Sequence, residues 1–355
     1  LFPSGYKPSS RFSTKMSPVK ESPKSPPPKI KPPSLVGKSP KSVSPVPVKK
    51  TRSQSVNPRT QILKENCLHS ITNYLQYKNI IIDNHEDLAK QWSEWCTDIK
   101  TNIPEHMEEW DILRGTTQKN EKGMGNGIIF DGTLVFLEDD MIQYAYSLQK
   151  ASDDKQITIL NMANATTPGG GYFRGSNAQE EQLCLRSDLL PRLKLAQRYG
   201  KYGRKGLRNG ETLYTSNVSF IKNSGLTKVE EQYMNVISAA ATNYSGQQKQ
   251  LLHDIKSGAI DIDLESTWKN IIYAASSNKT TDLVVSVIGG GAFRNPLENV
   301  ISGLLKALQN LIEPTNKMKI HLVVMNDHNG PENAEKTEKE LKEQLGKNKP
   351  DYRVL

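Results

Sequence analysis

Short apolar segments alternate with helical patterns along most of this 355-residue chain, and this alternation limits the folds open to it. Six segments predict strands because they are short and rich in apolar residues: 128–138, 157–163, 212–221, 235–241, 283–288 and 319–325. Helical patterns are found at 139–150, after Asn177, and at 264–277, 297–312 and 333–345. Several strands are apolar almost throughout, which is typical of a sheet with helices on both faces. The sequence therefore predicts an α/β fold, a three-layer α/β/α sandwich with a mixed central sheet.

The first 60 residues differ in composition from the rest of the chain. They hold 13 of the 20 prolines, and 13 Lys and Arg against the single acid Glu21. Such a segment has too few apolar residues to offset the entropy that ordering would cost. We predict a disordered, basic, Pro/Ser-rich tail at 1–58, either a solvated linker or a segment in weak contact with an anionic polymer. Because the net charge of +9 comes from this tail, it does not mark the folded part as a nucleic-acid binder.

Two amphipathic patterns follow the tail, at 59–78 and 85–100. Together they predict a helical accessory segment over 59–126, which ends in a glycine-containing loop at 117–126. The region of alternating strands and helices, 127–350, is the predicted main domain.

Cysteine and histidine residues are too scattered to form a metal site. Cys67, Cys96 and Cys184 have the spacing of neither a metal motif nor a disulfide framework, and the six histidines form no HExxH-type pair. We predict a chain without metal or cofactor in a reducing intracellular compartment, the nucleus or the cytoplasm. No run of about 18 apolar residues predicts a membrane span.

Two triple glycines follow predicted strands directly, at 169–171 after ITILNMA and at 289–291 after LVVSVI. A helix is predicted to start after the first loop, where Asn177 and Glu180 have the spacing of an N-terminal capping pair. A strand, a glycine loop and a helix start together direct backbone N–H groups at an anion. Neither loop is a GxGxxG or P-loop motif, which excludes classical dinucleotide redox and phosphoryl-transfer enzymes. We predict that the two loops bind one diphosphate-bearing ligand.

The pattern NxANAxxPGGG at 161–171, followed seven residues later by QEE at 179–181, resembles the signature of microbial, macrodomain-like poly(ADP-ribose) glycohydrolases. GGGAFRNP at 289–296 resembles the diphosphate loop of that family, in which a glycine is common where Arg294 stands. LYTSNVSFIKN, NVISAAATNY and RTQILKENCLHSI resemble further segments, although Thr242 stands where a proline is expected. The resemblance covers roughly 59–330 and implies a macrodomain-like catalytic domain at 127–350.

The resemblance also implies roles for individual residues. Glu181 looks like the general acid that protonates the departing ribose hydroxyl and later activates water, and Glu180 like the residue that grips the ribose hydroxyls. Asn164 and Gln179 look like substrate-positioning groups. The remaining expected binding residues are the glycines that admit the diphosphate, with Ala292 beside them, and an aromatic ring on the ribose: Gly169, Gly170, Gly171, Gly289, Gly290, Gly291, Ala292 and Phe293.

The two adjacent glutamates independently favour a mechanism with a single acid. Neighbouring side chains at a helix start diverge by about 100°, so they cannot face one glycosidic bond from opposite sides. Together with this geometry, the resemblance implies a glycohydrolase that cleaves ribose–ribose O-glycosidic bonds through an oxocarbenium-like transition state, with poly(ADP-ribose) or an ADP-ribosylated protein as partner. Two alternatives stay open: a non-catalytic reader of ADP-ribose, and a hydrolase of single ADP-ribose groups on protein or nucleic acid. The intact QEE argues against the reader.

Overall fold

The computed structural model describes residues 57–78, 84–98, 117–120, 133–152, 154–198, 202, 207, 210–309, 311, 318–327, 330–348 and 353–354. The tail predicted at 1–58 lies outside the described residues, apart from its last two positions. Much of the predicted accessory segment after residue 98 also lies outside them.

The described residues form one mixed sheet of eight strands. The strands are β1 (Thr117–Asn120), β2 (Thr133–Glu138), β3 (Ile157–Met162), β4 (Thr212–Lys222), β5 (Lys228–Ala239), β6 (Asp282–Val285), β7 (Lys319–Val324) and β8 (Arg353–Val354). Their spatial order is β1-β4-β5-β3-β6-β7-β2-β8. The β1–β4 and β4–β5 pairs are antiparallel and the other pairs are parallel. The prediction of a mixed central sheet is confirmed.

Helices cover both faces of this sheet. They are α1 (Pro58–Lys78), α2 (His85–Thr97), α3 (Met141–Ala151), α4 (Gln179–Arg186), α5 (Leu189–Arg198), α6 (Gln248–Ser257), α7 (Ala259–Ser277), α8 (Leu297–Gln309) and α9 (Asn333–Asn348). Helices α1 to α5 pack on one face and α6 to α9 on the other, and successive β3 residues Ile159 and Leu160 belong to these two different cores. The three-layer α/β/α prediction is therefore confirmed. Among the helices of the described ranges, none is both long and apolar enough to span a membrane.

The observed secondary structure differs from the prediction in two strands whose residues are largely polar. The loop prediction at 117–126 is wrong over Thr117–Asn120, which forms the edge strand β1 beside β4. An edge strand needs only backbone pairing on one side, so its side chains need not be apolar. Strand β5 also begins seven residues before the predicted 235–241, because its polar first half pairs with β4 in a hairpin.

The two helices of the accessory segment share a core with the strands that carry the glycine loops. Trp92 and Trp95 of α2 are fully buried in it, together with Leu63 of α1 and Leu183 of α4. Asn66 of α1 donates through its side-chain amide to the carbonyls of Leu185, at 3.3 Å, and Ser187, at 2.9 Å. Helix α1 thus satisfies carbonyls that the C-terminal end of α4 leaves without helical partners.

Candidate active site

The glycine loops lie at one edge of the sheet. Strands β5, β3 and β6 are parallel neighbours, so their carboxyl ends meet at the same edge. We call the segment after β3, residues 164–178, loop 1, and the segment after β6, residues 286–296, loop 2. Helix α4 begins where loop 1 ends, which places the first turn of α4 at this edge.

Glu180 is buried against the backbone of loop 1. It is 3% exposed, and its carboxylate accepts two backbone N–H groups: Asn164 N donates to Oε2 at 2.8 Å and Gly169 N to Oε1 at 3.0 Å. Each oxygen keeps a second lone pair for a further donor. The backbone of loop 1 thus holds this carboxylate through uncharged N–H donors.

Glu181 is held in the same way one residue later. It is 4% exposed; Gly171 N donates to Oε1 at 2.6 Å and Ala178 N to Oε2 at 3.0 Å. Ala178 is the N-cap of α4, so Glu181 is the third helical residue and reaches back to the N-cap amide. The predicted capping pair of Asn177 and Glu180 is wrong by one residue, because α4 begins at Gln179 and not one residue earlier.

The carboxylates explain the middle glycine of the triple glycine in loop 1. Gly170 has φ +54°, and a Cβ there would lie 2.5 Å from Glu181 Oε1 and 2.9 Å from Glu180 Oε2. Any side chain at this position would collide with both glutamates. The N–H groups of Gly169 and Gly171 donate to the glutamates, and that of Gly170 donates to Thr167 O at 2.9 Å. The predicted diphosphate contact of these three glycines stays a prediction.

Burial changes the protonation of Glu180. Its pKa is raised from 4.5 to about 8, mainly by desolvation and also by the charge of Glu181, although hydrogen bonds from Asn164, Gly169 and Asn161 act to lower it. Near neutral pH Glu180 is therefore mainly protonated in the folded protein.

This raised pKa predicts the sign of a pH effect on stability. Between pH 4.5 and about 8, folded Glu180 holds more proton than the unfolded chain does, so its contribution to the free energy of unfolding falls as pH rises. The slope is at most about 1.4 kcal/mol per pH unit. We expect urea unfolding at pH 5.5, 7 and 8.5 to show a larger stability loss in wild type than in Glu180→Gln, which cannot titrate. Parallel stability curves for the two proteins would contradict the raised pKa.

Asn164 and Gln179 also make mainly backbone contacts. Asn164 Oδ1 accepts from Thr166 N and Thr167 N, both at 3.0 Å, and so folds the start of loop 1. Gln179 accepts from Met162 N at 2.8 Å and donates to Leu160 O at 2.7 Å. The pairing of β3 with β6 ends at Ile159. Beyond that point, the side-chain amide of Gln179 forms the hydrogen bonds that a neighbouring strand would otherwise form with β3. Substrate positioning by either side chain stays a prediction.

Loop 2 presents a run of successive free donors. Asn295 donates to Thr242 O at 2.9 Å and to Gly289 O at 3.2 Å, which ties loop 2 to the chain after β5. The backbone N–H groups of residues 291–293 find no acceptor within the part of the chain that the structure describes. Gly291 and Ala292 are exposed. Loop 2 can therefore offer several N–H groups to an anion.

A cleft of about 530 Å³ opens between the two loops. Its wall includes Asn164 of loop 1, Thr242 after β5 and Phe293 of loop 2. The structure thus brings two of the predicted binding residues, Asn164 and Phe293, to one cavity. Glu180 lies directly behind this wall, since it accepts the N–H of Asn164.

Sequence patterns did not indicate several residues that support the site. Tyr202 donates its hydroxyl to the carbonyl of Asn164. Arg59 of α1 donates to the carbonyls of Tyr172 at 3.1 Å and Gly175 at 3.3 Å, so the accessory helix holds loop 1. These partners are 38 to 116 residues apart. No local motif marks contacts of such long range.

Residues 41–223 match the family model described as the microbial-type PARG catalytic domain, where PARG stands for poly(ADP-ribose) glycohydrolase. The match covers just over half of the chain and includes loop 1 and α4. The chain belongs to this family. The predicted resemblance to microbial poly(ADP-ribose) glycohydrolases is confirmed. No curated protein matches the chain by sequence.

Solved glycohydrolase structures share the fold. A poly(ADP-ribose) glycohydrolase from Thermomonospora curvata is 19% identical, with a TM-score of 0.54, and the alignment covers 72% of this chain and 98% of that one. The enzyme from Deinococcus radiodurans in complex with ADP-ribose is also 19% identical, with a TM-score of 0.51, and the alignment covers 75% and 99% of the two chains. At this level of sequence identity, the comparison shows that the chain shares the fold of these poly(ADP-ribose) glycohydrolases.

Proposed function

We propose that this protein hydrolyses the ribose–ribose O-glycosidic bonds of poly(ADP-ribose) and releases ADP-ribose. The observation that carries the proposal is the buried pair Glu180 and Glu181, held by loop 1 backbone in a chain of the glycohydrolase family. The Deinococcus radiodurans relative was solved with ADP-ribose, which supports the same ligand class here. The cleft of about 530 Å³ has the size of an ordinary small-ligand site.

In the proposed mechanism Glu181 gives its proton to the departing ribose oxygen as the C–O bond breaks. The remaining ribose gains oxocarbenium character, water attacks its anomeric carbon, and Glu181 takes a proton from that water. The acid is thereby regenerated. The N–H groups of Gly171 and Ala178 hold the carboxyl in place throughout, so no reorientation is needed during the reaction.

Glu180 is proposed to hold the hydroxyls of the same ribose. Its oxygens each accept one N–H, which leaves lone pairs for hydroxyl donors, and in the protonated state it can also donate. Because its pKa is raised to about 8, Glu180 keeps a proton near neutral pH and can offer ribose both a donor and an acceptor.

Loop 2 is proposed to bind the diphosphate. Its exposed N–H groups at residues 291–293 lie beside Phe293, which lines the cleft and is proposed to pack on the ribose. Gly289 has φ +75°, and a Cβ there would lie 2.5 Å from Asn295 Nδ2, so this glycine is needed to close the loop. Gly290 and Ala292 complete the proposed contact. The glycines of loop 1 are proposed to admit the diphosphate because they carry no side chain.

Gly291→Val is the cleanest test of loop 2. Gly291 has no positive φ, and a Cβ there meets no atom within 4 Å, so the fold should tolerate valine. We expect calorimetry to show at least about a ten-fold loss of ADP-ribose affinity, about 1.4 kcal/mol. Gly225→Val, in the exposed turn between β4 and β5, is the matched control and should bind as wild type does. Equal affinities for both variants would remove loop 2 from the site.

We also propose a division of the chain into three segments. A tail at 1–58 precedes the accessory segment at 59–126 and the catalytic domain at 127–350, and its basic residues are proposed to make weak contacts with an anionic polymer such as the substrate. Asn57 donates to Phe173 O at 3.2 Å, so a truncated protein that keeps loop 1 intact should begin no later than Asn57.

Three substrates offered side by side test the function. Purified poly(ADP-ribose), a protein carrying single ADP-ribose groups, and a nucleic acid carrying one are each incubated with the wild type, and free ADP-ribose is quantified by chromatography. We expect release from the polymer to be the fastest. Release from the singly modified substrates alone would favour a mono-ADP-ribosyl hydrolase. Binding of ADP-ribose without release from any of them would favour a reader.

A further inference from the structure

Arg294 of loop 2 adopts a backbone conformation that favours glycine. Its φ is +60°, in the left-handed region that costs residues with a side chain free energy. Arg294 N donates to Gly291 O and Asn295 N to Gly289 O, both at 3.0 Å. These two bonds close loop 2 around the residue and stabilise this conformation. A glycine here would form the same loop without strain.

The side chain of Arg294 is available for a ligand. It is exposed, and it forms no salt bridge or hydrogen bond to any residue within the described ranges. It directly follows the free N–H groups of residues 291–293 and the cleft residue Phe293. A residue with five side-chain N–H donors therefore directly follows three unpaired backbone donors in the chain.

We propose that Arg294 is a specificity-determining residue that binds a phosphate of the substrate. This inference rests on the proposed function, because it takes the ligand to be a diphosphate. Arginine binds phosphate oxygens in a bidentate manner, which neither glycine nor lysine can do. Backbone strain that the surroundings maintain is typical of ligand-binding positions. The strained residue and the unpaired donors thus point to the same anion.

Lys279 supplies a control that matches Arg294 in charge, exposure and backbone conformation. It is also a cationic, exposed residue with positive φ, +59°. It lies in the turn before β6, whereas Arg294 lies in the loop after β6, so the two residues are at opposite ends of one strand. Replacing either residue with glycine removes one positive charge and one strained conformation.

The experiment compares Arg294→Gly with Lys279→Gly. Both variants should unfold at a higher temperature than wild type, because glycine relieves the strain. Arg294→Gly alone should lower affinity by about ten-fold. The slope of log affinity for poly(ADP-ribose) against log salt should become shallower by about 0.7 to 0.9, the value typical of one lost phosphate contact on a nucleic acid. A loss seen with ADP-ribose would assign the phosphate to the bound unit, and a loss seen only with polymer would assign it to a neighbouring unit.

The inference fails if Arg294→Gly keeps wild-type affinity and salt dependence for both ligands, or if Lys279→Gly changes them equally. Arg294→Asn, which tolerates positive φ and has no charge, provides a second variant with the same expected loss of affinity. Failure of the proposed function is distinguishable, because in that case the wild type itself would release no ADP-ribose from the polymer.

Discussion

Glu181→Gln is expected to lower kcat on poly(ADP-ribose) by about 10²–10⁴-fold, the contribution typical of general acid catalysis, while ADP-ribose affinity stays near wild type. Glutamine keeps the shape of the side chain but has no proton to transfer. The change also removes one acceptor, since the carboxylate accepts from both Gly171 N and Ala178 N and an amide has a single oxygen. Some loss of stability should accompany the loss of activity.

Glu180→Gln controls for that structural cost. Glu180 also accepts two backbone N–H groups, so its glutamine variant loses one acceptor in the same way. We expect Glu180→Gln to raise KM and weaken ADP-ribose binding in addition to slowing turnover, because the single oxygen of the amide has fewer lone pairs left for ribose hydroxyls once it accepts a backbone N–H group. Steady-state kinetics and calorimetry on both variants separate the two roles. Equal losses of kcat with unchanged affinity in both would contradict the assignment of the acid to Glu181.

Gly170→Ala is expected to reduce kcat by at least about 100-fold, although it adds one methyl group. That methyl would lie 2.5 Å from Glu181 Oε1 and 2.9 Å from Glu180 Oε2, so both carboxylates must move. A displacement of about 1 Å in a catalytic group can cost about 10²-fold in rate. Steady-state kinetics on poly(ADP-ribose) measure the effect.

Gly175→Ala separates this collision from backbone strain. Gly175 also lies in loop 1 and has φ +86°, yet a Cβ there meets nothing within 4 Å. Both variants place alanine in a left-handed conformation, which costs about 1–2 kcal/mol of stability in each. We expect Gly175→Ala to keep kcat within a few-fold of wild type. Similar kcat losses in the two variants would show that strain, and not the position of the glutamates, limits the rate.

The layers and most strands could be predicted because apolar patterns encode burial on both faces of a sheet. Strands β3 and β6 were recognised in this way, and the glycines after them indicated that something approaches the backbone closely. Strand β1 could not be recognised, because an edge strand formed by Thr117–Asn120 needs no apolar residue. Helix α6 was also missed, since of its ten residues only Leu251 is buried, and the apolar residues Leu252 and Ile255 are exposed.

The residues of the candidate site were easier to predict from the sequence than the contacts between them. At the first triple glycine, Glu180 and Glu181 lie close to the backbone of Gly170, a contact that the sequence analysis did not anticipate, and the diphosphate contact expected there stays a prediction. Sequence spacing could not show this, because the contact depends on how loop 1 folds back over α4. The same holds for Arg59, whose hydrogen bonds to loop 1 join residues more than 110 positions apart.

The most direct test of the central claim is a time course of ADP-ribose release from purified, labelled poly(ADP-ribose). The account predicts that wild-type protein, with no added metal or cofactor, liberates free ADP-ribose at a rate proportional to protein concentration, and that the polymer shortens accordingly. An intact polymer after prolonged incubation, with ADP-ribose still bound by the same preparation in calorimetry, would contradict it and identify the protein as a reader.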